Sequence, residues 1–230
     1  MSNLAAHKAI ARNQDGIDWL CGDLHGQYDS LQRALMGVGF NSAVDRLFLM
    51  GDVIDRGPKS KALLTWVLAK DYVHCLMGNH ELMFVASSAD VRHRDKHRAI
   101  GGDWVDHIDS SEFRKLTTQC IEELPLTITL ECEKGSLGLV HAQSPADNWH
   151  EVQQAAASDQ FAIDCTWPWN RVQGADQTIT GVTAVVSGHI GAATVIQKGN
   201  QVWIDTLAQT GNVTLVTLVT VNNIFDWIKK

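Results

Sequence analysis

An α/β fold is what this sequence predicts, and three observations predict it. The segments IDWLCGD (17–23), RLFLMGD (46–52) and YVHCLMGN (72–79) each run apolar and end in Gly plus a side chain with a free lone pair. Two stretches with helical spacing separate them. After Pro125 the pattern changes to short alternating runs.

Taken in order, the three apolar runs read as buried parallel strands feeding loops, because a strand covered on both faces loses the polar alternation of a half-exposed one. Between the first two lies QYDSLQRALMG (27–37), with Leu31 and Leu35 on one helical face. Between the second and third lies KSKALLTWVLAK (59–70), in which Leu63 and Val67, and Leu64 and Leu68, are i,i+4 pairs. The unit is βαβαβ. Right-handed crossovers align its strands and bring their C-terminal ends to one edge, where open α/β sheets hold ligands. Residues 82–124 read as a helical lobe, with GGDW (101–104) as an internal break. The runs LTITLEC, LGLVHA, TAVVSGHI, TVIQK, QVWID and VTLVTLV make the second half mostly sheet, with a hairpin at Gly199-Asn200. Two of these strand ends carry His141 and His189.

With 230 residues and 45% apolar side chains the chain can build a substantial core, and a single domain over 1–230 is expected. Net charge is −7, so no general cationic surface exists for nucleic acid or anionic lipid. Apolar runs fall short of the ~20 residues of a membrane span, and MSNLAAHKAI has no secretory pattern, so a soluble cytoplasmic protein is expected. The five cysteines form no Cys-x-x-Cys pair, which argues against a disulfide framework or zinc knuckle and for buried small hydrophobes.

Collected, the strand-end groups are Asp23, His25, Asp52, Asn79, His80, His141 and His189, with Asp55 and Arg56 just beyond Asp52. His25, Asp52 and Asn79 follow one another at intervals of 27 residues, which suits a βαβ repeat of ~30. The mixed O/N set fits Mn, Fe or Zn and is too rich in nitrogen for a dedicated Ca or Mg cage. Six ligands exceed what one four-coordinate ion needs, so two adjacent ions sharing Asp52 are expected.

GDLHG (22–26), GDVIDRG (51–57) and GNHE (78–81), in that order, resemble the three signatures of the PPP-type phosphatases of the metallophosphoesterase superfamily. The resemblance continues through VHA (140–142), WNR (169–171), SGH (187–189) and IDT (204–206), and so spans about residues 19–220. In size and in GGDW the chain is similar to the small bacterial and lambda-phage-type serine/threonine protein phosphatases. That family implies a β-sandwich of mixed sheets flanked by helices. It implies one ion on Asp23, His25 and Asp52 and a second on Asp52, Asn79, His141 and His189, with Mn²⁺ expected. It implies direct attack on phosphorus by hydroxide held between the ions, His80 as the acid for the leaving group, Asp55 orienting His80, and Arg56 and Arg171 gripping the phosphoryl oxygens. In GNHE, then, Gly78 frees the backbone to turn, Asn79 ligates, His80 donates a proton and Glu81 ties the loop down.

Alone, each residue has a plainer reading. An Asp after a strand caps a helix, a lone His is a satisfied core residue, and Trp167, Pro168 and Trp169 before Arg171 could simply pack. Joint spacing overturns this for Asp23 and Asp52; for His141 and His189 their place in the family's order does so, and the phosphate role of Arg171 is what the resemblance implies. His93 and His97, four apart in RHRDKHR, read as part of a solvated basic face and not as a third metal site. SGHIG and IDTLAQTGN depart from the family's usual turns, which leaves the metals alone and puts substrate preference in doubt. The expected activity is hydrolysis of phosphoserine and phosphothreonine in proteins, with phosphotyrosine possible, by a monomer. The rivals are a symmetrical dinucleoside-tetraphosphate hydrolase, whose relatives typically lack the Asp of DRG and end the third motif in Asp, and a catalytically silent phospho-epitope binder.

Overall fold

The computed structural model describes residues 4–217 and Val221. Strands β1 (His7–Ile10), β2 (Asp18–Cys21), β3 (Arg46–Leu49) and β4 (Val73–Cys75) come first, with helix α1 (Tyr28–Gly37) between β2 and β3 and α2 (Ser60–Leu68) between β3 and β4. β2, β3 and β4 pair in parallel, Leu20 opposite Phe48 and Phe48 opposite His74, so the βαβαβ unit is present. α1 forms because Leu31 and Leu35 share a buried face while Met36 is 73% exposed on the other. β10 (Leu215–Thr217) closes this sheet antiparallel to β2. The rest of the expected VTLVTLV strand, residues 218 and 219, lies outside the described residues.

The second sheet contains β1, β5 (Thr127–Glu131), β6 (Ser136–Val140), β7 (Ala184–Ser187), β9 (Gln201–Trp203) and β8 (Ile196–Lys198), in that spatial order. β6, β7 and β9 are parallel, and β8 and β9 form the hairpin expected at Gly199-Asn200. Leu20, Phe48 and Leu76 of the first sheet bury with Ile128, Leu130, Leu139, Val186 and Val202 of the second, which makes the molecule a sandwich. On their other face, Cys21, Leu47, Leu49 and Val73 pack with Leu31, Leu63, Leu64 and Val67 of α1 and α2. Both faces of β2 and β3 are covered, which is why their sequences lack alternation.

Helices α3 (Asn79–Ser87), α4 (Val91–His97) and α5 (Ser110–Glu123) fill the segment expected to be a lobe, with a π-helical turn at 98–102 and a 3₁₀ turn at 103–107 between α4 and α5. Four further short helices, α6 (Trp149–Gln154), α7 (Asp159–Thr166), α8 (Asn170–Gln173) and α9 (Leu207–Thr210), were not expected in the sheet-rich half. α6 and α7 start at the side-chain caps Asn148 and Ser158. Four cysteines are buried and Cys132 is partly so. No described helix is long and apolar enough to cross a membrane.

Candidate metal centre

Six parallel strand ends from the two sheets meet at one place. β2 leads to Asp23, β3 to Asp52, β4 to Asn79, β6 to His141, β7 to His189 and β9 to Asp205. The loops are tied to one another by backbone bonds: Asp52 O accepts from Leu24 N at 3.0 Å and His25 N at 2.9 Å, and Asp52 Oδ1 accepts from His80 N at 3.0 Å. His25, Asp52, Asp55, Arg56 and His189 are the non-glycine described residues with φ in the left-handed region. Such a backbone costs on the order of 1–3 kcal/mol per residue and persists where the surroundings impose it, commonly at functional sites.

Glu81 is the clamp. Its Oε2 accepts from Asp52 N at 2.8 Å and Gly78 N at 3.0 Å, and its Oε1 from Val53 N at 2.9 Å and Ile54 N at 3.3 Å. Gly78 corrects one expectation: at φ −90° and ψ 176° its backbone is ordinary extended chain that any residue adopts. Glycine is needed there for space, since a Cβ would run into Asp52 Oδ1 and lie 2.6 Å from Asp52 N.

Two groups of side chains have ligand atoms within 4.8 Å of one another, His25 with Asp52 and His80, and Asp52 with His141 and His189. Asp52 belongs to both. Asp23 Oδ2 is 4.0 Å from His25 Nε2, and Asn79 Oδ1 is 3.0 Å from His141 Nε2. The structure therefore brings together Asp23, His25, Asp52, Asn79, His80, His141 and His189.

The residues fit cations. His141 Nδ1 lies 2.6 Å from Met50 O and must donate to it, which leaves Nε2 facing Asn79 Oδ1 at 3.0 Å and Asp52 Oδ1 at 3.5 Å. Three lone-pair bearers converge there, and only a proton or a metal can sit between them. Against the effect of its burial, the charge of Asp52 and their hydrogen bond push His141 up to about 10, so a proton does the cation's work. His25 repeats the pattern: Nδ1 donates to Ile54 O at 3.1 Å, and Nε2 accepts from Arg56 Nη1 at 2.9 Å, so the guanidinium occupies a metal's direction. Asp23 is raised well above the usual carboxylate range by burial and by the charges of Asp205 and Asp52. Despite its own burial, Asp52 is held below that range by His141, His80 and His25. Crowded carboxylates in so dry a place call for divalent ions.

His189 carries a conflict. Trp169 Nε1 donates to His189 Nε2 at 2.9 Å, and indole N–H can only donate. The imidazole is then neutral with its proton on Nδ1, in keeping with burial and the charge of His141 lowering it to about 4. Neither nitrogen is free for an ion while that bond stands.

His80 Nδ1 meets Asp55 Oδ2 at 2.7 Å, which turns Nε2 toward Asp52 Oδ2, 3.9 Å away. Arg56 is exposed beside His25. Arg171 spends Nε on Ser144 O at 2.7 Å, Nη1 on Gln177 at 2.8 Å and Nη2 on Asp147 at 2.7 Å, partners outside the ligand cluster.

The model of the calcineurin-like phosphoesterase family matches residues 19–192. The chain belongs to that family. Within the calcineurin-like phosphoesterases, it is 30% identical to serine/threonine-protein phosphatase 2 of Escherichia coli (strain K12), over 82% of this chain and 86% of the relative. It is 33% identical to the symmetrical bis(5'-nucleosyl)-tetraphosphatase of Erwinia tasmaniensis, over 63% of this chain and 54% of that one. A serine/threonine phosphatase from Saccharomyces cerevisiae, described as similar to human PP5, shares the fold with a TM-score of 0.63 at 16% identity, over 88% of this chain and 71% of that one. The protein is therefore a PPP-type phosphoesterase with candidate ligand groups for a metal centre.

Three residues escaped the sequence reading. Asp205, 5% exposed, has an Oδ1 without a hydrogen-bond partner and is raised to about 6, chiefly by burial and the charge of Asp52. Its signal was present in QVWID, an apolar run ending in a carboxylate like the first three. His97 corrects the reading of a solvated basic face. It is fully buried, with Nε2 2.9 Å from Asp55 Oδ2, while Arg94 and Arg98 pair with Asp106. Trp104 gives its Nε1 to Asp55 Oδ1 at 2.7 Å.

Proposed function

We propose that the protein hydrolyses phosphoserine and phosphothreonine monoesters of proteins, using two divalent ions, Mn²⁺ foremost. The observation that carries this reading is the His80–Asp55 pair, bonded at 2.7 Å with its free imidazole nitrogen facing Asp52. A relative matched over 82% of this chain and 86% of its own bears the protein-phosphatase name.

Bound ions would supply Lewis-acid charge and an activated water, held by Asp23, His25 and Asp52 on one side and by Asp52, Asn79, His141 and His189 on the other. The chain's own residues do the rest. Arg56, freed from His25, turns its guanidinium to the non-bridging oxygens, and Arg171 joins it by exchanging Asp147, an exposed partner, for a phosphoryl oxygen. As water oxygen bonds to phosphorus and the ester P–O bond breaks, His80 Nε2 gives its proton to the departing alkoxide, and the Asp55 carboxylate steadies the imidazole. Glu81 keeps the Asp52 loop in register throughout.

A second reading, dinucleoside-tetraphosphate hydrolysis, draws on Trp167 and Trp169, which are 41% and 51% exposed and flank His189, offering ring faces to a base. The experiment is phosphate release from a phosphopeptide panel and from diadenosine tetraphosphate with Mn²⁺, Zn²⁺, Fe²⁺ and Mg²⁺ in turn. Turnover of phosphopeptides above the dinucleotide supports the proposal. Preference for the dinucleotide selects the second reading, and stoichiometric binding without release would leave only a phospho-epitope binder.

A further inference from the structure

We infer that His97, the last residue of α4, and Trp104, in the 3₁₀ turn between α4 and α5, are positioning residues for His80: they hold the Asp55 carboxylate so that one oxygen is kept on the His80 ring. The inference rests on the reading of His80 as the proton donor.

Asp55 is completely buried and takes side-chain bonds from three residues. Oδ2 meets His80 Nδ1 at 2.7 Å, Oδ1 meets Trp104 Nε1 at 2.7 Å, and His97 Nε2 lies 2.9 Å from Oδ2 and 3.0 Å from Oδ1. A carboxylate held by His80 alone could rotate about its Cβ–Cγ bond. His97 Nε2, 2.9 Å from Oδ2 and 3.0 Å from Oδ1, bridges the two oxygens, while His80 holds Oδ2 and Trp104 holds Oδ1, so rotation about Cβ–Cγ would break all of these contacts together. The backbone of the same turn is held as well, since Asp55 N donates to Ser60 Oγ at 2.9 Å and Arg56 N to Gly101 O at 3.2 Å.

The break at GGDW has a physical reason. Gly101 has φ +106°, and a Cβ on it would stand 2.6 Å from Arg56 N. A Cβ on Gly102 would collide with the His97 ring. Two glycines let this turn close onto the DRG loop and present Trp104 to Asp55. Phe84 completes the seat: its ring stacks on Trp104 at 5.3 Å between centroids and meets His97 at 5.8 Å. Phe84 and His80 are one turn apart on α3, so the helix that carries the acid also seats both donors.

The test compares kcat/KM on phenyl phosphate, a poor leaving group, and 4-nitrophenyl phosphate, an activated one, in the Mn²⁺-loaded protein. Trp104→Phe removes the N–H and keeps the ring; His97→Leu removes that donor, and His97→Gln restores an N–H. Groups that orient a functional side chain commonly carry on the order of 10–100-fold in activity. Trp104→Phe and His97→Leu are expected to lose about 10-fold or more on phenyl phosphate and less than about 3-fold on 4-nitrophenyl phosphate, with Mn²⁺ affinity unchanged and His97→Gln recovering part of the loss. His80→Asn serves as the reference. If it is selective for the poor leaving group and Trp104→Phe loses equally on both substrates, or loses nothing, the inference is overturned while the reading of His80 stands. If His80→Asn shows no selectivity, the acid reading fails and the inference with it. Should His97→Leu not fold, Trp104→Phe decides alone.

Discussion

Glu81→Gln tests the clamp that sets the site. The substitution preserves volume and replaces one carboxylate oxygen by an amide NH₂. Whichever oxygen is replaced, two backbone N–H groups lose their acceptor and face another donor: Asp52 and Gly78 N–H on one side, or Val53 and Ile54 N–H on the other. The gentler loss is the second, because the Ile54 bond is the longest at 3.3 Å. Burial and the charge of Asp52 raise Glu81 to about 7, so the comparison is made above that value, where the carboxylate is ionised. A hydrogen bond to a charged group contributes about 1.5–3 kcal/mol, and two lost bonds, one of them weak, come to about 3–4 kcal/mol. For a chain of this size that is a fall in Tm of roughly 6–16 °C. The assay is urea and thermal unfolding with a chelator present, so that altered metal affinity does not enter. Glu122→Gln, at an exposed position late in α5, should change stability by no more than about 0.5 kcal/mol. A loss below about 1 kcal/mol in Glu81→Gln would refute the argument, because it would mean that the four N–H groups do not depend on the anion.

Three further outcomes follow from the same geometry. His80→Asn should still bind two ions per chain by elemental analysis; retention of only one would make His80, whose Nε2 lies with His25 and Asp52, a ligand. Trp169→Phe removes the indole N–H that competes for His189, so Mn²⁺ should bind about 2–10-fold more tightly by calorimetry, the worth of one hydrogen bond, whereas weaker binding would show that Trp169 assists the ion. Asp55 is held below its ordinary value: burial opposes the shift, and the bonds from His80, His97 and Trp104 outweigh it. A depressed carboxyl stabilises the fold above the unfolded value near ~3.9 and loses that contribution as pH falls through the folded value. Wild type and Asp55→Asn should accordingly differ most in urea midpoint near neutral pH and converge in acid, and a gap that widens below about pH 4 would contradict this.

Much of this site was legible because its ligands follow a local rule. Each of the first three runs is largely buried and ends where the chain leaves the sheet, so the apolar letters and the ligand after them stay adjacent in sequence. The same rule reaches His141 and His189. Asp205 obeys it too; IDT marks its position, but QVWID sits among hairpin strands and so suggested no ligand there. His97 and Trp104 were illegible for another reason. α4 spans only Val91–His97, two turns in which Arg92, Arg94 and Lys96 dominate, and no periodicity can show that the π-helical turn and two glycines after it bring His97 against Asp55. Such a contact, 42 residues long in sequence, depends on tertiary packing. The helices between β6 and β7 were missed because each is short; α6 and α7 are marked mainly by their caps, and α8 has no side-chain cap at all.

Electron paramagnetic resonance of the Mn²⁺-reconstituted protein tests the central claim most directly. A pair of ions sharing Asp52 predicts two Mn²⁺ per chain with the spectrum of an exchange-coupled pair, and loss of that coupling in Asp52→Asn. One uncoupled Mn²⁺ per chain, or a coupled pair that survives Asp52→Asn, would contradict it.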